Sequence, residues 1–118
     1  SCTIKCETQD ACKEKRISCP PNHDCTVVCS GDASCVVATI NGPIGKDLTV
    51  NCAGPSSCSD TIFAATETVN TAYTCSAKDS CKGATRINCG SGSCEVACLG
   101  EAACDSAAIN INRAISFA

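Results

Sequence analysis

Cysteine is the residue type that gives this chain its chemistry, because 15 of the 118 residues are cysteines. Ten of them form five pairs that recur every 23 residues, with five residues between the two members of each pair. Thiols at this spacing can close disulfide bonds or bind a soft metal ion such as zinc. A fixed repeat of this length is typical of proteins that stack one structural unit on the next. The pairs are Cys6 and Cys12, Cys29 and Cys35, Cys52 and Cys58, Cys75 and Cys81, and Cys98 and Cys104.

The composition favours disulfides over zinc. Cysteine above roughly 8–10% of a short chain is typical of a disulfide scaffold, and such scaffolds persist in oxidising compartments. Zinc sites usually combine Cys-x2–4-Cys pairs with more such ligands or with histidine, whereas these pairs repeat five times and the chain has one histidine, His23. The sequence therefore predicts an extracellular or secreted protein with no metal and no cofactor.

The geometry of an extended strand limits which cysteines can pair. Cys25 and Cys29 lie on one predicted strand, about 13 Å apart at ~3.3 Å per residue, whereas a disulfide needs Cα atoms within about 7 Å. The five-residue loops can close instead, and each contributes roughly 2–2.5 kcal/mol in the loop-entropy model. Two further disulfides are predicted for cysteines that occur together within one repeat, Cys19–Cys25 in the first and Cys89–Cys94 in the fourth.

Cys2 is the odd cysteine. It occupies the repeat position of Cys25 and Cys94, whose predicted partners lie a few residues upstream. The matching upstream position would precede Ser1, so Cys2 is predicted to be free, bonded to another chain, or separated from its partner by processing. Since the chain starts without Met and has no signal peptide, we interpret it as a processed product or a segment of something larger.

Two strands per repeat must position the cysteines. The strand that enters each first cysteine alternates between inward and outward side chains, as residues 25–29 illustrate. A second strand follows each cysteine pair. In the fourth repeat the apolar column falls on Arg86 and the isoleucine moves to Ile87, so one residue is inserted, which we interpret as a bulge, and one is removed before Cys94. Its predicted inward residues are Lys15, Ile17 and Cys19, then Ala38 and Ile40, then Thr61 and Phe63, and finally Ala107, Ile109 and Ile111.

These strands predict an all-β fold, a right-handed parallel β-helix or β-solenoid of five disulfide-stapled coils of about 23 residues. The third side of each coil consists of turns, although residues 66–70 could form a third short strand. One domain, 1–118, contains the repeats 6–28, 29–51, 52–74, 75–97 and 98–118.

Three of the cysteine loops, 29–35, 52–58 and 98–104, read Cys-x-Gly-x-x-small-Cys, whereas Thr8 and Ala77 replace the glycine in the other two. This pattern resembles the cysteine-rich repeats of disulfide-stapled right-handed β-helices in secreted and cell-surface proteins of unicellular eukaryotes. The resemblance covers the whole chain. It implies an architecture and carries over no active site.

Three functions are compatible with this architecture. The first is a structural module of an extracellular fibre or surface coat, which associates head to tail with copies of itself or forms part of a longer solenoid, since neither end has a polar cap. The second is ice binding through the outward threonines Thr3, Thr26 and Thr49. The third is a carbohydrate-binding or lyase-type β-helix, but the acidic residues are scattered, so we expect no catalytic residues and no enzymatic activity.

Glycans are a further expected partner. Threonines crowd the third repeat, and Thr66, Thr68 and Thr71 are candidate O-glycosylation sites, with the β-propensity of threonine as the alternative explanation. The net charge of −3 gives no indication of a nucleic-acid partner. No apolar run approaches the ~18 residues of a membrane span, so membrane insertion is not expected.

Non-reducing peptide mapping tests the pairing scheme. We expect the five loop disulfides and the two extra pairs, and we expect reduction to unfold the protein, because few large side chains are available for a core. A bond between Cys6 and Cys29, or stoichiometric zinc binding by the thiols, would contradict the scheme.

Overall fold

The computed structural model describes residues 2–65, 67–83, 86–90, 92–110 and 115–117. Within these residues the secondary structure consists of strands and turns without a helix. The strands are β1 (Cys2–Cys6), β2 (Arg16–Ser18), β3 (Cys25–Cys29), β4 (Thr39–Asn41), β5 (Leu48–Cys52), β6 (Ile62–Ala64), β7 (Thr71–Cys75), β8 (Arg86–Asn88), β9 (Cys94–Cys98), β10 (Ala108–Asn110) and β11 (Ile115–Phe117).

The strands form two parallel sheets, which confirms the predicted all-β solenoid. Sheet 1 has the order β1-β3-β5-β7-β9-β11, and sheet 2 has the order β2-β4-β6-β8-β10. From Cys2 to Cys94 each strand of sheet 1 pairs with the strand 23 residues later, which makes four complete turns. Five coils were predicted; the residues after Cys98 begin a further turn, of which 111–114 lie outside the described residues.

The core is a narrow stack of side chains between the two sheets. The inward column of sheet 1 holds Val27, Val50, Tyr73 and Val96, and that of sheet 2 holds Ile40, Phe63 and Ile87, all at most 1% exposed. The rings of Phe63 and Tyr73 stack with their centroids 4.9 Å apart. Tyr73 donates its hydroxyl hydrogen to the carbonyl of Asn88 at 3.0 Å, and burial raises the pKa of this tyrosine.

The loops that join sheet 1 to sheet 2 contain the cysteine pairs and share an unusual backbone. In every loop, the fourth, sixth and eighth residues after the first cysteine have positive φ, with values of 55–66° for the residues other than glycine. Left-handed backbone costs an ordinary L-residue about 1–2 kcal/mol. The residues are Asp10, Cys12 and Glu14, then Ala33, Cys35 and Val37, then Ser56, Cys58 and Asp60, then Asp79, Cys81 and Gly83, and finally Ala102, Cys104 and Ser106.

Hydrogen bonds between stacked loops hold this backbone. In the second loop, the amides of Ala33 and Val37 donate forward to the carbonyls of Pro55 and Ser59, each at 2.9 Å. The amide of Cys35 donates backward to Ala11 at 2.8 Å. The same three-bond pattern recurs in the third and fourth loops, so each of the three internal loops is stabilised by the loops on both of its sides.

The residue inserted in the fourth repeat is confirmed, although not as a bulge within the strand, and the last strand departs from the regular spacing. Arg86 pairs with Ile62 and is exposed, while Ile87 pairs with Phe63 and is buried. Because Cys81 still donates to Ser57 in the regular offset, the extra residue falls before β8 rather than as a bulge within it. In the last strand Ile115 pairs with Cys94, so this step is 21 residues long instead of 23.

Of the other side chains predicted to point inward, some are buried, some are not, and some lie outside the described residues. Ile17 and Cys19 are buried, and so are the residues predicted inward in the second and third repeats. Lys15 is exposed, as expected for a charged residue in an edge coil, and Ala107 is half-buried. The side chains of Ile109 and Ile111 lie outside the described residues. No strand forms over the described residues of the segment 66–70, whose turn is held by the Thr68 amide bonding to the Ala65 carbonyl.

Replacing Val37 by glycine tests the cost of the left-handed loop backbone. Val37 is β-branched, 51% exposed and has φ 57°, so glycine removes backbone strain with little loss of burial. We expect the free energy of unfolding of the oxidised protein to rise by roughly 0.5–1 kcal/mol in denaturant titrations. The control is Val36→Gly, at a position without positive φ, which should lose roughly 1 kcal/mol; destabilisation by both variants would contradict the account.

Candidate functional site

Seven disulfides brace the solenoid, and they join the same cysteine pairs that the spacing predicts. Their Cα–Cα distances of 5.6–6.1 Å lie in the normal range for the bond. Cys2 is the free cysteine and is half-buried at the start of β1. The bonds are Cys6–Cys12, Cys19–Cys25, Cys29–Cys35, Cys52–Cys58, Cys75–Cys81, Cys89–Cys94 and Cys98–Cys104.

The sulfur atoms of successive loops lie close together inside the stack. Cys29, Cys35 and Cys58 have their Sγ atoms within 4.8 Å of one another, which is close enough to surround a metal ion. All three are in disulfides, however, so their sulfurs are not thiolate ligands while the protein is oxidised. We therefore regard this column as structural.

The first coil leaves the core open on its outer side. Ile4 is half-buried, whereas Val27 in the next position of its column is 0% exposed. Cys12 is likewise half-buried, whereas Cys35 above it is 0% exposed. We call the outer side of β1, the loop 6–14 and β2 the head surface. Among the described residues, no layer covers the outer end of its apolar column.

The fifth loop has two amides whose counterparts in the earlier loops bond to a following loop. The amides of Ala33 and Val37 donate to the following loop, but Ala102 and Ser106, their counterparts in the fifth loop, have no following loop among the described residues. We call the outer side of this loop, residues 98–106, together with β10 and the edge beyond β9, the tail surface.

A ladder of polar side chains fixes the coils where sheet 1 begins, and the sequence reasoning missed it. Asp24 accepts a hydrogen bond from the Asp47 amide at 3.1 Å, and Asp47 accepts one from the Asn70 amide at 3.2 Å. Asn70 in turn accepts from both the amide and the hydroxyl of Ser93 at 3.0 Å. All four residues precede a strand by one position, so their 23-residue spacing was a usable signal.

The structure explains the glycine of the loop motif. A Cβ atom at Gly31 would overlap the carbonyl oxygen of Thr8, and one at Gly54 would overlap that of Gly31. This close approach lets two amides, those of Ala53 and Gly54, bond to the carbonyl of Cys29. The spacing alone could not reveal this because Thr8 and Ala77 interrupt the pattern.

The threonines predicted for ice binding lie in one outward column of sheet 1. Thr3, Thr26 and Thr49 pair in register on the outside of sheet 1, but Ala72 and Glu95 continue the column. The column is therefore a single rank of three threonines.

Two of the candidate glycosylation sites are inaccessible. Thr68 is 0% exposed and donates to the carbonyl of Pro43 at 3.1 Å, and Thr71 is 3% exposed inside β7. A sugar cannot be attached to either hydroxyl in the folded coil, which corrects that expectation. Thr66 lies outside the described residues.

His23 and the three acidic residues of the loops lie in different parts of the coil. His23 is exposed in a turn, whereas Asp32, Asp79 and Glu101 lie in the loop stack. Asp79 forms a surface ion pair with Lys82, with the nitrogen and oxygen 3.3 Å apart.

Comparisons with known proteins place the chain in no family. No protein-family model matches it, and neither a curated protein nor a solved structure is detectably similar to it. Within the described residues there is also no helix with the length and apolarity needed to cross a bilayer.

Thiol titration tests the assignment of Cys2. We expect one reactive thiol per native, oxidised chain, because Cys2 is free and half-buried at the edge of sheet 1. Cys2→Ser should abolish the reaction without changing the β-sheet circular dichroism. A native chain with no reactive thiol, or a Cys2→Ser chain that still reacts, would contradict the assignment.

Proposed function

We propose that this chain is a structural module of an extracellular fibre or surface coat. It extends by end-to-end association with copies of itself or as part of a longer solenoid, and it performs no catalysis. Its seven disulfides indicate an oxidising setting. Secreted and cell-surface proteins of unicellular eukaryotes that use similar cysteine-rich repeats are the class in which we place it.

The open head surface is the observation that carries the proposal. Solenoids that work as discrete particles close their terminal coils with polar caps, because an uncovered coil exposes both apolar side chains and unpaired strand edges. Here β1 and β2 are edge strands, and Ile4 and Cys12 of the same coil are only half-buried. A further coil of the same kind would cover all of them.

The shape and bracing of the molecule suit a load-bearing module. Its extents are 31 × 25 × 18 Å, so its two ends are a large share of the surface. Each coil is tied internally by at least one disulfide and externally by the loop bonds and by the ladder of Asp24, Asp47, Asn70 and Ser93. Such a column resists bending because every layer is fixed to its neighbours.

Ice binding is the second candidate. The stacked Thr3, Thr26 and Thr49 on the outside of sheet 1 favour it. The parallel outward column carries Lys5, Val28 and Asn51, so the array lacks a second rank of threonines. Thermal hysteresis of the oxidised protein distinguishes the two functions, since a fibre module should show none.

Light scattering and negative-stain electron microscopy test the proposal. We expect the oxidised protein to form linear particles whose length increases with concentration, whereas reduced and alkylated protein should not form them. A monodisperse 11.9 kDa monomer at high concentration would defeat end-to-end association. An intact mass larger than that of the sequence would instead indicate attached glycans.

A further inference from the structure

We infer that end-to-end association uses one specific joint: the loop 6–14 of one copy stacks on the loop 98–106 of the next, and the incoming β1 displaces β11. This inference rests on the proposed fibre function and names its contact surfaces. The occupant of the tail surface is thus the head surface of a second copy of this chain.

The hydrogen-bonding pattern of the loops supplies the first argument. Between internal loops, the fourth and eighth residues donate forward to the carbonyls of the third and seventh residues of the next loop, and the second cysteine donates backward to the fifth. A second copy placed one layer beyond the fifth loop would continue the pattern without a break. The new bonds would run from Ala102 to Gln9, from Ser106 to Lys13, and from Cys12 back to Ala103.

Charge complementarity supplies the second argument. Lys13, Lys82 and Asp105 occupy the same position of their loops, the seventh after the first cysteine. The stacked loops bring Lys82 and Asp105 into adjacent layers, since Gly83 donates to the Asp105 carbonyl and Asp60 donates to the Lys82 carbonyl. Stacking the head on the tail would place exposed Lys13 on the other side of exposed Asp105. Opposite charges therefore meet in the register that the hydrogen bonds require.

The strand count explains why β11 must move. Sheet 1 has six strands, whereas sheet 2 has five and the chain has five cysteine loops. A second copy whose first loop contacts the fifth loop must pair its β1 with β9, and β11 already occupies that edge. Pairing β1 with β11 instead would leave the loops and sheet 2 of the two copies separated by one empty layer, about 4.8 Å thick.

The exchange replaces a short strand by a longer one. β11 pairs with β9 over Ile115–Phe117 and departs by two residues from the 23-residue spacing. Internal neighbours such as β7 and β9 pair over five residues, and β1 is also five residues long. The incoming strand thus offers more backbone pairing at the same edge, together with the loop and sheet 2 contacts.

Thr8 makes the joint weaker than an internal interface. It would face the carbonyl of Gly100 at the position where Gly31 and Gly54 allow close approach. The loop with Ala77 at this position shows the tolerated alternative, in which the Ser76 amide bonds to Cys52 at 3.2 Å. The joint can therefore form with Thr8 in place, and Thr8→Gly should tighten it.

Charge reversal tests the loop contact. Measured by sedimentation or light scattering on oxidised protein, Lys13→Glu and Asp105→Lys should each weaken association about fivefold to tenfold, and the double variant should restore it. Lys46→Glu, the same charge change on the third side of a middle coil, is the matched control and should leave association within about twofold. Circular dichroism and thiol titration verify that each variant is folded and oxidised.

Blocking β11 tests the exchange. Ser116→Pro prevents regular strand pairing at the centre of β11 and should strengthen association several-fold, with Cys2 becoming protected from thiol reagents in the assembled state. Ser116→Ala is its control and should behave as the parent chain. Weaker association of the proline variant would show that β11 is part of the joint, which overturns the exchange.

The outcomes separate the inference from the proposal on which it rests. Filaments that form but ignore the Lys13 and Asp105 reversals would overturn this joint while leaving the fibre function standing. No association in any variant, including Thr8→Gly and Ser116→Pro, would overturn both the joint and the end-to-end mode of assembly.

Discussion

The stacking of cysteine loops through backbone hydrogen bonds is the constraint on which the rest of the fold depends. Three residues in every loop adopt a left-handed backbone that most L-residues avoid. In an internal loop the amides of the left-handed residues donate to the loops on either side, while the amide of the fifth residue bonds within the loop. The left-handed backbone is thus stabilised by neighbouring loops in the same register, so the 23-residue spacing is a structural requirement and not a by-product of repetition.

The disulfides follow from the same constraint. The second cysteine of each pair is itself a left-handed residue, and the disulfide restricts the conformations open to it. The half-cystines also fill space that other proteins give to aromatic rings: Cys29, Cys35, Cys58, Cys75 and Cys81 are all 0% exposed. Among the described side chains, Phe63 and Tyr73 alone contribute large aromatic rings to the core. Cross-linking and packing are therefore performed by the same atoms.

Much of this architecture can be predicted from the sequence because the spacing of the cysteine pairs equals the length of one coil. An unbroken 23-residue period implies one strand position per turn, and the alternation in residues 25–29 identifies the inward face. The pairing of the cysteines follows from the reach of a disulfide against the length of a strand.

The features that could not be predicted depend on contacts between coils. The overlap that demands glycine at position 31 is visible only when the carbonyl of Thr8 is placed beneath it. The position of the extra residue in the fourth repeat could not be predicted either, because inserting one residue and removing another leaves the spacing of the cysteine pairs intact; the structure puts it before β8, with Arg86 outward. The burial of Thr68 arises likewise from its bond to Pro43 in the preceding coil.

Sheet 1 has one strand more than sheet 2, so the two ends of the solenoid present different surfaces to a neighbouring copy. Because a coil begins with a strand of sheet 1 and continues into a loop and a strand of sheet 2, the chain can end with one sheet a layer ahead of the others. At the head surface β1, its loop and β2 lie in one complete layer, which only another complete layer can cover. At the tail surface β11 supplies a third of a layer and shields the edge of β9. Within the described residues, β11 therefore covers part of the edge of β9 at the tail surface, whereas no strand covers the edge of β1 at the head surface. In the proposed assembly, growth is set by the competition between β11 and an incoming β1 for the edge of β9.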